Sequence, residues 1–184
     1  MQAHRLNPIL LAKVQEWALA SCGCFPVIPQ DCPSDRPEFI RYADVLGSDL
    51  DHCIKWGGVK TIQRAMEKVQ RSYCEDVSCL VDLCRQSITF ESPGDVAACL
   101  AAIATDPAVA VARVKNRLDP HYDATKSAGY RDVAINLRMV CPEARNLNLD
   151  QHVCEVQLIL KAFAELKNDS GHRRYVTFRN LRGE

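Results

Sequence analysis

The stretch GYRDVAINLRMV, from Gly129 to Val140, alternates apolar and polar residues as a β-strand with one buried face does. Successive strand side chains point to opposite faces of a sheet. The apolar set therefore predicts a core-facing side made of Val133, Ile135, Leu137 and Met139. The opposite side carries Tyr130, Asp132, Asn136 and Arg138.

A second stretch, QHVCEVQLILK from Gln151 to Lys161, shows the same alternation. Its predicted apolar side consists of Cys154, Val156, Leu158 and Leu160, whereas Glu155 and Gln157 point the other way. Together the two stretches predict two strands of a sheet with one apolar and one polar face. A polar face is ordinarily just solvated. The alternative is a floor for a ligand, and the rest of the chain bears on that choice.

Composition limits the class of protein. The chain has 184 residues, of which 47% are hydrophobic and 25% charged, which suits one globular domain with one core. The formal net charge is zero, so no overall field favours duplex DNA or an anionic membrane. No apolar run approaches the roughly 20 residues that span a bilayer. An anion site must therefore come from local clustering of cations.

Ten cysteines are present, and most occur singly in apolar patterns. We expect Cys79, Cys84, Cys99 and Cys154 to be small buried residues. Free thiols persist in reducing compartments, and the first residues lack the apolar block of a signal peptide. The expected location is therefore the cytoplasm.

The first part of the chain is predicted to be a helical, Pro-rich extension covering residues 1–56. A helix is expected from Asn7 to Ala20, with Pro8 at its first position. A Pro-rich loop or linker follows over Cys22–Pro37, and then a short helix over Pro37–Leu46. Residues 57–184 are predicted to form the main domain.

In the main domain, helical and strand patterns alternate. Helices are expected over Val59–Val69, over Val96–Ala104 and after Lys161, and further strands over Leu80–Phe90 and Val109–Leu118. Strict alternation in the last strand puts one set of side chains on a common face: Val109, Val111, Arg113, Lys115 and Arg117. This order predicts an α+β fold with a mixed sheet of about four to five strands, flanked by helices and open on its polar face.

Cations and two separated acids form the candidate site. Lys60, Arg64 and Lys68 are spaced by four and are expected to share a helix face, which is either a solvated basic face or a cradle for polyphosphate. Asp82 and Glu155 can hold Mg²⁺, or one of them can accept a proton from an attacking hydroxyl. Such cations would neutralise a triphosphate and the charge that develops during its transfer. No Gly-rich P-loop motif is present.

The order of segments resembles the RelA/SpoT synthetase domain, which has a nucleotidyltransferase-like fold. The resemblance covers about Val59 to Asn180. It rests on six pieces in sequence order: the cationic positions of residues 59–68, VDLCR at 81–85, VKNR at 114–117, KSAGYRD at 126–132, CEVQL at 154–158 and GHRRY at 171–175.

This resemblance implies transfer of pyrophosphate from ATP to the ribose 3′-hydroxyl of a guanosine nucleotide, with magnesium. An RNA end is an alternative acceptor. Asp82 would be a metal ligand, Glu155 the base or a second metal contact, and Tyr130 a platform for the acceptor base. Lys60, Arg64 and Lys68 would meet the donor's phosphates. The remaining nucleotide-binding candidates are Arg85, Lys115, Arg117, Lys126, Arg131, Gln157, His172 and Tyr175, of which the last three would support the Glu155 strand and the final helix.

The chain departs from the RelA/SpoT pattern at three places. Ala134 stands where these synthetases usually carry histidine, Ile159-Leu160 stands where Arg-Thr is usual, and Arg85 follows Asp82 by three positions rather than five. The departures fall mainly on the acceptor half. Two alternatives therefore stay open: a catalytically inactive nucleotide-binding or regulatory module of the same fold, and an interaction domain with a solvated polar face.

Overall fold

The computed structural model describes residues 1–28, 37–127 and 129–165, and these residues form one six-stranded mixed sheet. The strands are β1 Cys24–Val27, β2 Glu38–Arg41, β3 Arg85–Phe90, β4 Val109–Asn116, β5 Val133–Met139 and β6 Val153–Leu160. Their order across the sheet is β2-β1-β3-β6-β5-β4. β3 and β6 are parallel, and the other neighbours are antiparallel.

One face of the sheet is covered by helices. The helices are α1 Gln2–Ala20, α2 Tyr42–Val45, α3 Ile62–Ser72, α4 Pro93–Thr105, α5 Pro142–Asn146 and α6 Lys161–Glu165. α1 packs on β3 and on α4, and α4 also contacts β6. Leu6, Leu10 and Val14 of α1 are fully buried in the same core as Ile88 and Ile135 of the sheet.

The predicted α+β fold and the alternation of the two deciding strands are confirmed. Val133, Ile135, Leu137 and Met139 of β5 are buried, as are Cys154, Val156 and Leu158 of β6. Glu155 and Gln157 lie on the other face and are only partly buried. The predicted strand over Leu80–Phe90 begins later than expected, since β3 starts at Arg85 and Asp82 precedes it.

The N-terminal part differs from its prediction. The predicted helix over Pro37–Leu46 is wrong, because residues 38–41 form β2 and only Tyr42–Val45 is helical. β1 lies inside the predicted Pro-rich loop. Four-residue strands are too short to show a period of two. The prediction of four to five strands therefore missed β1 and β2, and the sheet has six. The boundary after residue 56 stays a prediction.

Two details of the predicted elements are also wrong. α1 begins at Gln2, so Pro8 lies inside the helix rather than at its first position. The burial of Leu6, Leu10 and Val14 on one side offsets the backbone bond that proline removes.

In β4 the register shifts between Val111 and Arg113, so Val111 pairs with Leu137 on the core face whereas Arg113 pairs with Asn136 on the polar face.

Cys84, Cys99 and Cys154 are buried as predicted, whereas Cys79 is exposed because it lies in a short helical turn outside the core. Within the described ranges, none of the helices combines the length and the hydropathy that crossing a bilayer requires.

Candidate active site

The polar face of the sheet is built from side chains in cross-strand register. One row runs from Arg85 on β3 through Glu155 on β6 and Asn136 on β5 to Arg113 on β4. Residues opposite each other in neighbouring strands share a face and interact through their side chains. A parallel row contains Ser87, Gln157, Ala134 and Lys115. The open face therefore holds cations at its sides and an acid with amides near its middle.

Asp82 sits beside this face with two ammonium groups on one of its carboxylate oxygens. Lys60 Nζ and Lys68 Nζ both donate to Asp82 Oδ2, the latter at 2.8 Å. The other oxygen, Oδ1, is buried and has no hydrogen-bond partner among the described residues. Asp82 itself is 5% exposed. Asp82 is thus an anion paired with two cations through Oδ2, and its Oδ1 can still accept a hydrogen bond or bind a cation.

Burial and pairing act against each other in this cluster. Burial alone would raise the pKa of Asp82, but the hydrogen bonds from Lys60 and Lys68 hold that pKa below its usual value. Burial lowers the pKa of Lys60 more than Asp82 raises it. Burial also lowers the pKa of Lys68, yet its bond to Asp82 leaves the pKa raised overall. The two lysines differ because the charges of Lys68 and Arg85 also lower the pKa of Lys60, whereas Tyr73 raises the pKa of Lys68.

The segment that carries Lys60 is fixed by an amide on the core side of β3. Gln86 Nε2 donates to the Gly57 carbonyl at 2.8 Å and to Asn7 Oδ1 at 3.0 Å, while Gln86 Oε1 accepts from the Gly57 amide at 3.1 Å. Lys60 N–H then donates to the Leu83 carbonyl at 2.9 Å. Side-chain and backbone bonds thus place Lys60 against Asp82 before any ligand binds.

Glu155 lies on the strand next to β3, and its backbone N–H donates to the Cys84 carbonyl at 3.0 Å. Its Oε1 accepts from Gln157 Nε2 at 3.1 Å. Burial raises the pKa of Glu155, and the negative charge of Asp82 raises it further. A carboxylate with a raised pKa is a stronger proton acceptor once ionised.

A second ion pair lies at the start of β5. Arg117 Nη1 donates to Asp132 Oδ1, and Asp132 is fully buried. The Tyr130 hydroxyl is buried nearby, and its pKa is raised by burial and by the charge of Asp132. Arg131 binds the preceding loop instead, since its guanidinium donates to the carbonyls of Arg117, Asp119 and Tyr122. Ligand roles for Tyr130 and Arg131 stay predictions.

Four predicted nucleotide-binding cations do not join the cluster around Asp82. Lys60 precedes α3, so the expected shared helix face of three cations is not formed. Arg64 is exposed and pairs with Glu67 at 3.5 Å. Lys115 on β4 and Lys126 in the turn of residues 124–127 are exposed. Arg85 is exposed beside Glu155. His172 and Tyr175 lie outside the described residues.

The residues present fit Mg²⁺ in part. No group of three or more His, Cys, Asp or Glu side chains in the described ranges is arranged to hold a metal ion. Asp82 Oδ1 is an unsatisfied buried carboxylate oxygen, and the repulsion between Asp82 and Glu155 is the kind that a cation relieves. Mg²⁺ commonly takes one or two carboxylates and completes its shell with substrate phosphates and water. Asp82 and Glu155 are therefore suitable ligands.

Sequence reasoning missed three residues of this region. Gln86, which fixes Gly57, lies in an apolar strand pattern where a polar residue is itself a signal of buried hydrogen bonding. Asp132 and Asn136 were placed on the polar face but given no role. Their importance depends on contacts across strands, which the order of residues along one strand does not contain.

No protein-family model matches the chain, and no curated protein matches it. Solved structures do match. Small alarmone synthetase 1 from Bacillus subtilis, bound to its product pppGpp, superposes with a TM-score of 0.54 at 18% identity, over 69% of this chain and 67% of that chain. A further crystal structure of that synthetase gives 0.50 at 17% identity, over 68% of each chain. The chain therefore has the fold of the small alarmone synthetases, with a divergent sequence.

Proposed function

We propose that this protein transfers pyrophosphate from ATP to the 3′-hydroxyl of a guanosine nucleotide or a related acceptor. The observation that carries the proposal is the pairing of Asp82, held by Lys60 and Lys68, with Glu155 on the neighbouring strand. The similarity in fold to a synthetase crystallised with pppGpp supports a nucleotide as the ligand.

In the proposed reaction the acceptor 3′-oxygen attacks the β-phosphorus of ATP. A bond forms between that oxygen and the β-phosphorus, the bond from the β-phosphorus to the bridging oxygen of the α-phosphate breaks, and AMP leaves. Glu155 takes the proton of the attacking hydroxyl, for which its raised pKa is suited. Lys60 and Lys68 bind the donor's phosphate oxygens and offset the charge that develops there.

Mg²⁺, held by Asp82 and Glu155 together with substrate phosphates, would supply charge neutralisation at the transferred group. Since Lys60 and Lys68 occupy Asp82 Oδ2, the arriving triphosphate competes with Asp82 for the two ammonium groups. This competition links donor binding to the release of Asp82.

A nucleotide-binding module without transfer is the second candidate. The observation that favours it is that two ammonium groups already neutralise Asp82, so the carboxylate is satisfied in part without a metal. Such a module would bind nucleotide with the same cations and release no AMP.

Transfer of label from ATP, labelled in its γ-phosphate, to GDP, GTP or transfer RNA in the presence of Mg²⁺ tests the proposal. We expect the wild type to label one of these acceptors. Glu155→Gln is expected to reduce the rate by about a hundredfold or more, as loss of a general base does, while the exposed Glu165→Gln is expected to have no effect. Absence of label on every acceptor would reject the enzyme, and an unchanged rate in Glu155→Gln would reject the role of Glu155.

A further inference from the structure

Asn136 has a buried amide nitrogen that donates to no group among the described residues. Its Nδ2 is inaccessible to solvent and has no hydrogen-bond partner within the described part of the chain, although the residue as a whole is only half-buried. An unsatisfied buried donor costs on the order of 1–3 kcal/mol. Such groups are rare in native structures and commonly mark a place where water, an ion or a ligand binds.

The position of Asn136 in the sheet indicates which ligand it meets. In the row across the polar face it stands between Glu155 on β6 and Arg113 on β4. Lys60 and Lys68, which meet the donor's phosphates in the proposed function, contact Asp82 just before β3. Because the strand order is β3-β6-β5-β4, Asn136 lies on the opposite side of Glu155 from the donor.

Building on the proposed function, we propose that Asn136 Nδ2 donates a hydrogen bond to an oxygen of the acceptor, and that the acceptor binds over β5 and β4 as a phosphorylated nucleotide. Ala134, the preceding residue on this face of β5, is small and carries no polar side-chain group. Arg113 and Lys115 of β4 are exposed cations on the same face and can pair with the acceptor's phosphates.

A neutral donor suits this position chemically. The amide of Asn136 can hold an acceptor oxygen without adding charge. Glu155 and Arg113, its neighbours in the row, have long side chains, and the proposal requires one of them to move so that a ligand oxygen reaches the amide nitrogen.

The experiment compares wild type with Asn136→Ala and Asn136→Leu. Equilibrium binding is measured for GDP and, separately, for a non-hydrolysable ATP analogue, and thermal unfolding is followed without nucleotide. We expect GDP affinity to fall by about fivefold or more, the loss of one hydrogen bond worth roughly 1 kcal/mol, with ATP-analogue affinity unchanged. The Tm is expected to stay the same or rise, because the variants remove an unsatisfied donor. Asn146→Ala, exposed on α5, is the control.

The inference would be overturned if GDP affinity were unchanged in both variants, or if the wild type did not bind GDP. It would also be overturned by a lowered Tm together with equal loss of affinity for GDP and for the ATP analogue, which a purely structural amide would give. Failure of this inference can be distinguished from failure of the proposed function. Wild-type transfer combined with Asn136-independent GDP binding rejects this inference alone. Asn136-dependent GDP binding without any transfer supports this inference and rejects the enzyme.

Discussion

At the scale of single residues, the site depends on how few partners each buried charge has. Asp82 binds two lysines through one oxygen, and the carboxylate of Glu155 accepts a hydrogen bond from Gln157. The sequence predicted these acids and lysines. It did not predict that Arg64 would turn to Glu67 or that Arg131 would bind carbonyl groups. Such choices depend on which partner is nearer in space.

Replacing Asp82 tests how much its ion pairs with Lys60 and Lys68 contribute to the stability of the fold. Asp82→Asn leaves the ammonium groups of Lys60 and Lys68 without a counter-charge in a largely buried place. We expect the free energy of unfolding at pH 7 to fall by about 3 kcal/mol, the lower end of the range for breaking a buried ion pair, because Lys68 is partly exposed. Chemical denaturation measures the loss, and the exposed Asp49→Asn is the control.

The sign of the pH dependence follows from the pKa of Asp82, which is lowered in the folded protein. Its stabilising contribution is present above the ordinary aspartate pKa of about 3.9 and is lost as the pH falls through the lowered value. The stability difference between wild type and Asp82→Asn should therefore shrink in acid. A difference that stays constant down to acid unfolding would contradict the ion pairs.

At the scale of elements, strand pairing decides what the site contains. β5 and β6 could be predicted because seven or eight alternating residues give a clear signal. β1 and β2 could not, since each has only four residues and β1 also contains a proline. The register shift in β4 moves Arg113 onto the polar face and Val111 onto the core face. No pattern within β4 alone reveals that shift, because it is set by the pairing with β5.

Two adjacent glycines test how the segment before α3 is held. A Cβ at Gly57 would lie 2.7 Å from Gln86 Oε1 and 3.0 Å from the Arg85 carbonyl, whereas a Cβ at Gly58 would meet nothing within 4 Å. Gly57→Ala is therefore expected to displace Lys60, to weaken ATP binding, and to destabilise the fold by about 1–3 kcal/mol. Gly58→Ala is the matched control.

The measurements are ATP affinity by calorimetry and the midpoint of denaturation for both variants. Equal behaviour of Gly57→Ala and Gly58→Ala would show that Gln86 does not fix the segment. Equal loss of affinity for ATP and for GDP in Gly57→Ala would show a general distortion rather than a shift of the donor cations.

At the scale of the whole molecule, the sheet order sets the layout of the site. The strand that carries Glu155 lies between β3, next to the lysine cluster, and β5 with β4, which present Asn136 and exposed cations. α1 covers the other face, and its buried leucines belong to the same core. The overall α+β class could be predicted from periodicity, whereas the integration of α1 depends on packing between distant segments.

A shortened chain tests the predicted boundary after residue 56. Removing residues 1–56 strips Leu6, Leu10 and Val14 from the core, so we expect the remaining chain to lose cooperative thermal unfolding. In the full chain, Leu10→Ala should cost about 2–5 kcal/mol, while Leu19→Ala, at a position 45% exposed, should cost little. Cooperative unfolding of residues 57–184 alone would instead establish them as an independent domain.

The central claim is that the polar face transfers pyrophosphate, and its most direct test is the stoichiometry of products by mass spectrometry after incubation with ATP, Mg²⁺ and an acceptor. The account predicts one AMP for each acceptor that has gained two phosphoryl groups, and loss of both products in Glu155→Gln. Formation of ADP, release of free pyrophosphate with an adenylated acceptor, or equal product in wild type and Glu155→Gln would contradict it.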